Sequence, residues 1–416
     1  MNYIGVIDCN NFFVSCERLF RPDLLRKPVL VLSSNDGCVV ARSQEVKDMG
    51  ITMGVPYFQI KDIVIKSRIT CFSSHFTLYR DISARVFMVV RELLPQMEQY
   101  SIDEAFFSFT AASKTEAELA LRSITQEVEA RVGIPVSIGL AATKTQAKYA
   151  NRLAKKAGGV SVLTAVDWSD LAPAIPLQSI WGVGGQMATR YRAASLLTVV
   201  DVMQCPAPRL NSLFGVVGAR LQAELQGVSV YPVSQVRTLQ KSTISSRSFR
   251  ESTTNILVLK DAVAYHVRQA AADVRRMDML ACHLTVTLLP GRHGDFFMRG
   301  GTLALDLSEP TADSAILLTA AMRLVEQLYE GEVPYKKAGI SLSKFIPVAY
   351  VQTSLFAPVA KKDAVLSDAI DALNARYGHE SVQLGRHTLI EQWQSRQENK
   401  SPAYTTNWSA VAMVKA

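Results

Sequence analysis

Three features of the sequence predict an α+β chain of several domains. Its 416 residues exceed what one hydrophobic core serves and point to about three domains. Between residues 3 and 140 the strand and helix patterns follow the order β-α-β-β-α-β, the ferredoxin-like plan. A second block, residues 237–348, again pairs strands with two helices. A hydrophobic content of 48% and a charged content of 20% belong to an ordinary globular chain.

Tyr3–Ile7 is a short apolar strand that ends at Asp8, where a carboxylate serves either as a helix N-cap or as a metal ligand. Asn10 to Val14 open a helix that runs through Glu17 to Leu19, and Pro28–Leu32 is a second strand. Asn35-Asp36-Gly37-Cys38 marks a turn, and Arg42 to Lys47 start a helix that Gly50 and Gly54-Val55-Pro56 terminate. From Thr77, the positions Leu78, Ile82, Val86, Val89 and Leu93 form one apolar helical face. A second amphipathic helix carries Leu121, Ile124, Val128 and Val132, and Pro135–Leu140 is the next strand.

Between those helices stands Tyr100-Ser101-Ile102-Asp103-Glu104-Ala105-Phe106, a tight hairpin with two acids at its mouth. Like charges beside apolar walls raise each other's pKa, and a divalent cation would relieve that conflict. A solvated turn is the other reading of this stretch alone. In a ferredoxin-like sheet the first strand lies beside the central hairpin, which brings Asp8 towards Asp103 and Glu104 and favours the metal site.

Lys144, Lys148, Arg152 and Lys155 recur every four, four and three residues, a basic stripe opposite Ala147, Ala150, Leu153, Ala154 and Ala157. Such a stripe is commonly a solvated face. The segment holds no acid to pair with it, which favours phosphate contacts. Residues 167–176 read as a linker broken by Pro173 and Pro176. Ile180-Trp181-Gly182-Val183-Gly184 is an hhGhG turn, expected between helices, with a helix at 186–197 and another from Val200. Gly182 and Gly184 let backbone N–H groups approach phosphate in a helix-hairpin-helix.

In the second block, residues 238–249 are rich in hydroxyls and bases, Arg247 among them, and suit backbone contacts to nucleic acid. Helix 256–277, strands 283–289 and 296–305, helix 312–329 and strand 338–345 follow. Beyond Pro347 the chain turns irregular, with one short helix at 366–377, and after Glu398 a tail expected to be mobile or ordered by a partner.

The net charge of +8 and pI near 9.1 fit a polyanionic partner. The excess sits in residues 1–165 (20 basic, 16 acidic) and 237–348 (14 and 11), two regions able to flank a common ligand. Six cysteines without CxxC spacing indicate neither zinc nor disulfides. No signal segment or long apolar run is present, so a cytoplasmic protein without membrane association is expected.

These residues resemble one family. Asp8-Cys9-Asn10-Asn11-Phe12-Phe13, Tyr100-Ser101-Ile102-Asp103-Glu104-Ala105, Thr143-Lys144-Thr145-Gln146-Ala147-Lys148 and Trp181-Gly182-Val183-Gly184 are similar to motifs of the Y-family translesion DNA polymerases. Ser15-Cys16-Glu17, Arg21-Pro22-Asp23 and Ser34-Asn35-Asp36-Gly37-Cys38-Val39 narrow the likeness to the UmuC type, and it extends to Ser401-Pro402-Ala403-Tyr404-Thr405-Thr406.

The resemblance implies a right-hand polymerase with a ferredoxin-like palm, small fingers, helix-hairpin-helix thumb and α/β little finger. The corresponding division is palm 1–10, fingers 11–77, palm 78–165, thumb 166–236, little finger 237–348 and C-terminal tail 349–416. It implies an error-prone, template-directed polymerase without proofreading, acting in the SOS response to DNA damage. Asp8, Asp103 and Glu104 would then hold two Mg²⁺, with the Cys9 backbone carbonyl as a further ligand.

Phe13 takes the place of the steric gate that collides with a ribose 2′-OH; Tyr is common there, and Phe keeps the ring without its hydroxyl. The backbone N–H groups of Phe12 and Phe13 would hold triphosphate at a helix start, with Arg42, Lys47 and Lys155 as further nucleotide contacts. Lys47 stands where many relatives carry Arg, and Gln44 departs from the Tyr of some relatives. Lys144, Lys148, Arg152, Gly182, Gly184 and Arg247 are the expected DNA contacts. Gln352, Leu355 and Phe356 look like a motif for the β sliding clamp. A processed UmuD-like dimer and a RecA filament are the remaining implied partners, beside primer-template DNA and dNTPs, and a nucleoid location follows.

Overall fold

The computed structural model describes residues 1–235, 239–291, 299–350, 361–377, 381–382 and 393–411. Gln352, Leu355 and Phe356 of the clamp motif lie outside them. The chain forms two compact units: 1–33 with 37–237 and 399–416, and 34–36 with 238–398.

The first unit runs β1 (Asn2–Cys9), α1 (Phe12–Phe20), β2 (Val29–Leu32), β3 (Val39–Arg42), α2 (Gln44–Asp48), α3 (Tyr57–Lys66), β4 (Thr70–Ser73) and α4 (Phe76–Leu93). It continues with β5 (Met97–Gln99), β6 (Glu104–Thr110), α5 (Lys114–Val132), β7 (Val136–Ala141), α6 (Lys144–Ala154) and β8 (Val160–Val162). Then come α7 (Ala165–Leu171), α8 (Gly185–Ala193), α9 (Val199–Gln204) and α10 (Ala207–Leu225).

One sheet has the order β5-β6-β1-β7-β8, the ferredoxin-like arrangement with β8 added parallel to β7. β1 is antiparallel to both β6 and β7 and buried along almost its whole length, so it reads as a continuous apolar run. The expected face of α4 is realised: Leu78, Ile82, Val86 and Val89 are buried in the core beneath this sheet, with Leu121 and Val128 of α5. Gly139 in β7 is required by close approach, because a Cβ there would lie 2.0 Å from the backbone nitrogen of Asn151 in α6. The Asn151 side-chain amide then donates to the Ser137 carbonyl at 2.7 Å. This contact fixes the helix that carries the lysines of the site. A smaller sheet, β3-β2-β4, lies between α1 and α4 in sequence, with a separate core of Leu30, Leu32, Val46, Ile60 and Val64.

Three expectations need correction here. Residues 167–171 of the expected linker belong to α7, because Thr164 and Asp167 close a capping box that holds its first turn. That Thr-x-x-Asp signal was legible in the sequence. The helix expected upstream of the hhGhG turn is a 3-10 turn, Leu177–Ser179, and the one downstream stops at Ala193, where Ser195 takes a φ of 61°. Residues 399–411, the described part of the tail after Glu398, pack on their own chain: Ser401 is buried, and Tyr404 stacks on Phe20 with ring centroids 4.6 Å apart.

The second unit comprises β9 (Ser242–Thr253), α11 (Ile256–Arg276), β10 (Met279–Pro290), β11 (Gly301–Thr311), α12 (Ser314–Leu328), β12 (Tyr335–Pro347) and α13 (Lys361–Tyr377). Its antiparallel sheet has the order β11-β10-β12-β9, with α11 and α12 packed on it. Trp393 is fully buried in this core and donates its indole N–H to Asp261 at 2.8 Å. Beside it, His266 is paired through Nδ1 with Ser245 at 2.8 Å. Burial, with Arg247 and Lys337 nearby, pushes the His266 imidazole down to about 3.

A base with a depressed folded pKa stabilises the fold above its unfolded value, near 6.5, and loses that contribution as pH falls towards 3. The urea midpoint of this unit is therefore expected to fall between pH 7 and pH 5 in the wild type. His266→Gln should flatten that dependence.

Candidate active site

The site is built where β1 ends. Asp8 pairs in register with Glu104, the first residue of β6, and the Cys9 N–H donates to the Asp103 carbonyl at 2.9 Å, extending the ladder into the hairpin mouth. The sheet thus brings Asp8 and Glu104 face to face across nearly a hundred residues of sequence. Asp8 is only 8% exposed. Burial pushes its carboxyl up to about 7; Lys155 opposes that shift, and a hydrogen bond to Glu104 adds to it. For Glu104 burial acts upward, but the hydrogen bond with Asp8 and the charge of Lys148 outweigh it and hold the group below the usual range. The two carboxyls are thus driven in opposite directions, Asp8 upward and Glu104 downward. Asp103 is turned aside, its carboxylate accepting from the Ser101 hydroxyl at 2.6 Å. Among the described residues no three His, Cys, Asp or Glu side chains converge closely enough to hold a metal ion.

The basic helix faces this pair. Lys148 donates to both oxygens of Glu104, at 2.7 and 2.6 Å, and lies over the rings of Tyr100, Phe106 and Trp181. Lys155 meets Asp8 at 2.6 Å. Lys144 is 5% exposed and bonded to Glu98 at 2.6 Å, which removes it from the expected DNA contacts. The stripe has acidic partners after all. They come from β5, β6 and β1 rather than from the helix, and no pattern within α6 announces them.

Arg152 is exposed, as is Lys155 beside its partner Asp8. Arg152 lines a groove of about 680 Å³ together with Lys156, Gln178, Gly185, Thr189 and Arg192. Gly182, with φ 86°, makes the turn that leads into α8 at this groove, and Gly184 is the residue before that helix. Arg247, in the other unit, stacks over Tyr265 and Trp393 at 5.2 and 5.6 Å.

α1 begins at Phe12 behind Asn11, whose φ is 48° and whose side chain caps no N–H of the helix. The Asn11 amide oxygen instead accepts from Lys47. Phe12 is buried, so its backbone alone is available to a ligand, whereas Phe13 is half-buried. Burial, then Lys155 and Arg42, hold Lys47 below the usual lysine range, so these three cations lie within electrostatic reach of one another. Arg42 donates to the Ile51 carbonyl, and its buried Nε has no partner among the described residues. Gln44 bonds Asp48 at 2.7 Å and does not join them. Sequence reading missed the residues that brace α1: Tyr79, Glu17 and Ser401.

The ferredoxin-like sheet with the smaller sheet beside it in sequence is a fold shared with solved structures. The chain is similar to a Y-family DNA polymerase chimera of Dbh and Dpo4, with a TM-score of 0.70, 18% identity, and coverage of 83% of this chain and 99% of that one. It is also similar to a Dbh DNA polymerase ternary complex, with a TM-score of 0.57 and 19% identity over 83% of this chain and 99% of that one. The fold is therefore that of a Y-family DNA polymerase.

Residues 7–152 match the model of the impB/mucB/samB family and residues 240–355 that of its C-terminal domain. Residues 364–414 match a domain of unknown function, DUF4113. Protein UmuC of Salmonella typhimurium is 34% identical over 99% of this chain and 100% of its own length. Protein SamB of the same species is 32% identical over 99% of each, and DNA polymerase IV 1 of Halalkalibacterium halodurans 27% over 91% of this chain and 92% of its own. This chain belongs to the impB/mucB/samB family, the UmuC type of Y-family polymerase.

Proposed function

We infer that this protein is an error-prone, template-directed DNA polymerase of translesion synthesis, adding deoxynucleotides to a primer 3′-hydroxyl without proofreading. The observation that carries the reading is the pair Asp8–Glu104, set opposite each other in the β1–β6 register and met by Lys148 and Lys155, with Arg42 and Lys47 nearby. The hard oxygen donors of such a pair suit Mg²⁺. Asp8, Asp103 and Glu104, with the Cys9 carbonyl, would hold two such ions. Asp103 must turn from Ser101 to join them. The ions supply Lewis acidity that activates the 3′-hydroxyl and charge that stabilises the leaving pyrophosphate.

The chain's own residues do the rest. Lys155, Lys47 and Arg42 bind the triphosphate, and the uncapped start of α1 offers it the N–H groups of Phe12 and Phe13. The Phe13 ring selects against a 2′-hydroxyl. Arg152 and the turn at Gly182 and Gly184 hold template or primer phosphates, and Arg247 is a further proposed DNA contact. The domain division given above is the proposed assignment of palm, fingers, thumb, little finger and tail. A processed UmuD-like dimer, a RecA filament and the β sliding clamp, through Gln352, Leu355 and Phe356, are the proposed partners, at the nucleoid. No helix among the described residues is long and apolar enough to cross a membrane. Primer extension past an abasic site, with and without those partners, tests the reading; no extension with all partners and Mg²⁺ present would refute it.

A proton on Asp8 has a readable consequence. A carboxyl whose folded pKa is raised stabilises the fold below its unfolded value and loses that contribution as pH rises through about 7. In EDTA the thermal midpoint is expected to be lower at pH 8 than at pH 6. Millimolar Mg²⁺ should raise it more at pH 8 than at pH 6, because at the lower pH the ion must displace a proton.

A further inference from the structure

We propose that the C-terminal segment at residues 399–404 is a positioning element of the active site, holding the sugar-selecting ring of Phe13 through Glu17 and Tyr79. This rests on the reading of Phe13 as the ring that faces the sugar.

Phe13, Glu17 and Phe20 follow one another at intervals of four and three in α1 and so share one face of the helix. Phe13 stacks on Tyr79 of α4, with centroids 4.5 Å apart and planes 14° from parallel, and meets the edge of Phe76 at 5.7 Å. The orientation of Tyr79 is set at its far end, where its hydroxyl donates to Oε1 of Glu17 at 2.7 Å. Glu17 is fully buried. The second donor to the same oxygen is Ser401, at 3.1 Å, from the other end of the chain.

Ser401 has one proton to give, and it gives it to Glu17. His75, whose Nδ1 lies 3.1 Å from the same hydroxyl, must therefore be the donor there. Burial, with Lys400 adjacent, holds the His75 imidazole below its usual value and so favours this neutral form.

The segment is secured on both sides of Ser401. The Ser73 N–H donates to the Asn399 carbonyl and the Asn399 N–H to the Ser73 hydroxyl, both at 3.0 Å, so the tail continues the fingers sheet beyond β4. Lys400 forms a parallel bridge with Ser73, and Tyr404 lies flat on Phe20. Each contact falls on the face of α1 that carries Phe13, or on β4 and the start of the helix that follows it and carries Tyr79.

The electrostatics make the arrangement sensitive. Oε2 of Glu17 is buried with no hydrogen-bond partner among the described residues, so both donors serve one oxygen. Removing Ser401 leaves a buried carboxyl with one donor, a costly state that is relieved by turning towards water. Tyr79 is bonded to that carboxyl and follows it, and Phe13 loses the flat surface on which it rests. Residues at the C-terminus thus set the position of a ring in the first helix. The DUF4113 segment acquires a role in choosing the sugar.

The test is single-nucleotide incorporation by the full-length chain, with Mg²⁺ and the partners proposed above. It compares kcat/KM for dCTP and CTP in wild type, Ser401→Ala, Ser401→Thr, Phe13→Ala and the double variant Phe13→Ala/Ser401→Ala. Ser401→Ala is expected to lower the dCTP:CTP ratio about five- to tenfold, the effect of one ordinary hydrogen bond. Ser401→Thr, which keeps the hydroxyl, should restore it. Phe13→Ala should lower the ratio further, and adding Ser401→Ala to it should change nothing more, because the two act on one element.

Equal losses for dCTP and CTP in Ser401→Ala would make the segment merely structural and overturn the proposal, as would additive effects in the double variant. An unchanged ratio in Ser401→Ala while Phe13→Ala lowers it would sink the coupling and spare the gate. An unchanged ratio in Phe13→Ala would sink both. If Ser401→Ala does not fold, Tyr404→Ala loosens the same segment without touching Glu17 and is read in the same way.

Discussion

Asp103→Ala is expected to reduce primer extension by about 10³-fold or more, since on the proposed reading it loses a carboxylate that would hold metal and with it several kcal/mol of transition-state stabilisation, at about 1.4 kcal/mol per decade. The structure makes this variant a clean one. Asp103 is half-buried, and its carboxylate is bonded to the neighbouring Ser101 rather than to a distant element. Its backbone carbonyl, which accepts from Cys9, survives the substitution. Stability should therefore change by no more than about 0.5 kcal/mol, as for a surface position. Asp8→Ala would be less informative, because it also strips Lys155 of its partner. Steady-state extension on an undamaged template, with circular dichroism of the same preparations, measures both quantities. Extension equal to wild type in Asp103→Ala would exclude the proposed carboxylate set.

Lys155→Ala should raise KM for the incoming nucleotide about 10- to 100-fold, the range for losing one hydrogen bond to a charged group, with a smaller change in kcat. Lys155→Arg should recover only part, because a planar fork replaces a compact ammonium. A second effect separates this residue from an ordinary surface lysine. Lys155 is the principal group lowering the Asp8 pKa against the effect of burial. Without it the Asp8 carboxyl titrates higher still, and the pH at which Mg²⁺ binds half-maximally moves upward. Metal titration followed by the thermal midpoint at several pH values reads that shift without turnover. A KM increase with no displacement of the pH profile would mean that Lys155 meets the triphosphate but does not tune the acid.

Much of this architecture was legible before any coordinates. The apolar intervals of α4 and α5 and the buried strand before Asp8 carry the ferredoxin-like plan in their own periodicity. The Ser-Ile-Asp-Glu-Ala stretch declared its acids, and the sheet order implied that Asp8 would approach them. What could not be read depended on partners far away in sequence. Lys144 reads as a solvated base until Glu98 is placed against it. The same holds for Lys148, whose acid lies on a strand 44 residues upstream. Residues 167–171 differ for another reason: Pro173 and Pro176 point to a linker, while the Thr164–Asp167 capping signal points to the helix that forms.

The tail is the sharpest case. Its composition, small and polar, lacks the apolar surface that drives independent folding, and sequence reasoning left it mobile or dependent on a partner. In the fold its Ser401 and Tyr404 complete a surface that α1, β4 and α4 had already assembled. By itself, then, the sequence determined the local elements, the acids and the order of the palm strands, because periodicity and turn chemistry act over a few residues. Tertiary structure alone decided which lysine neutralises which acid, and that residues 399–404 brace the first helix. Those outcomes are set by burial and by pairings between groups tens to hundreds of residues apart, which no local pattern encodes.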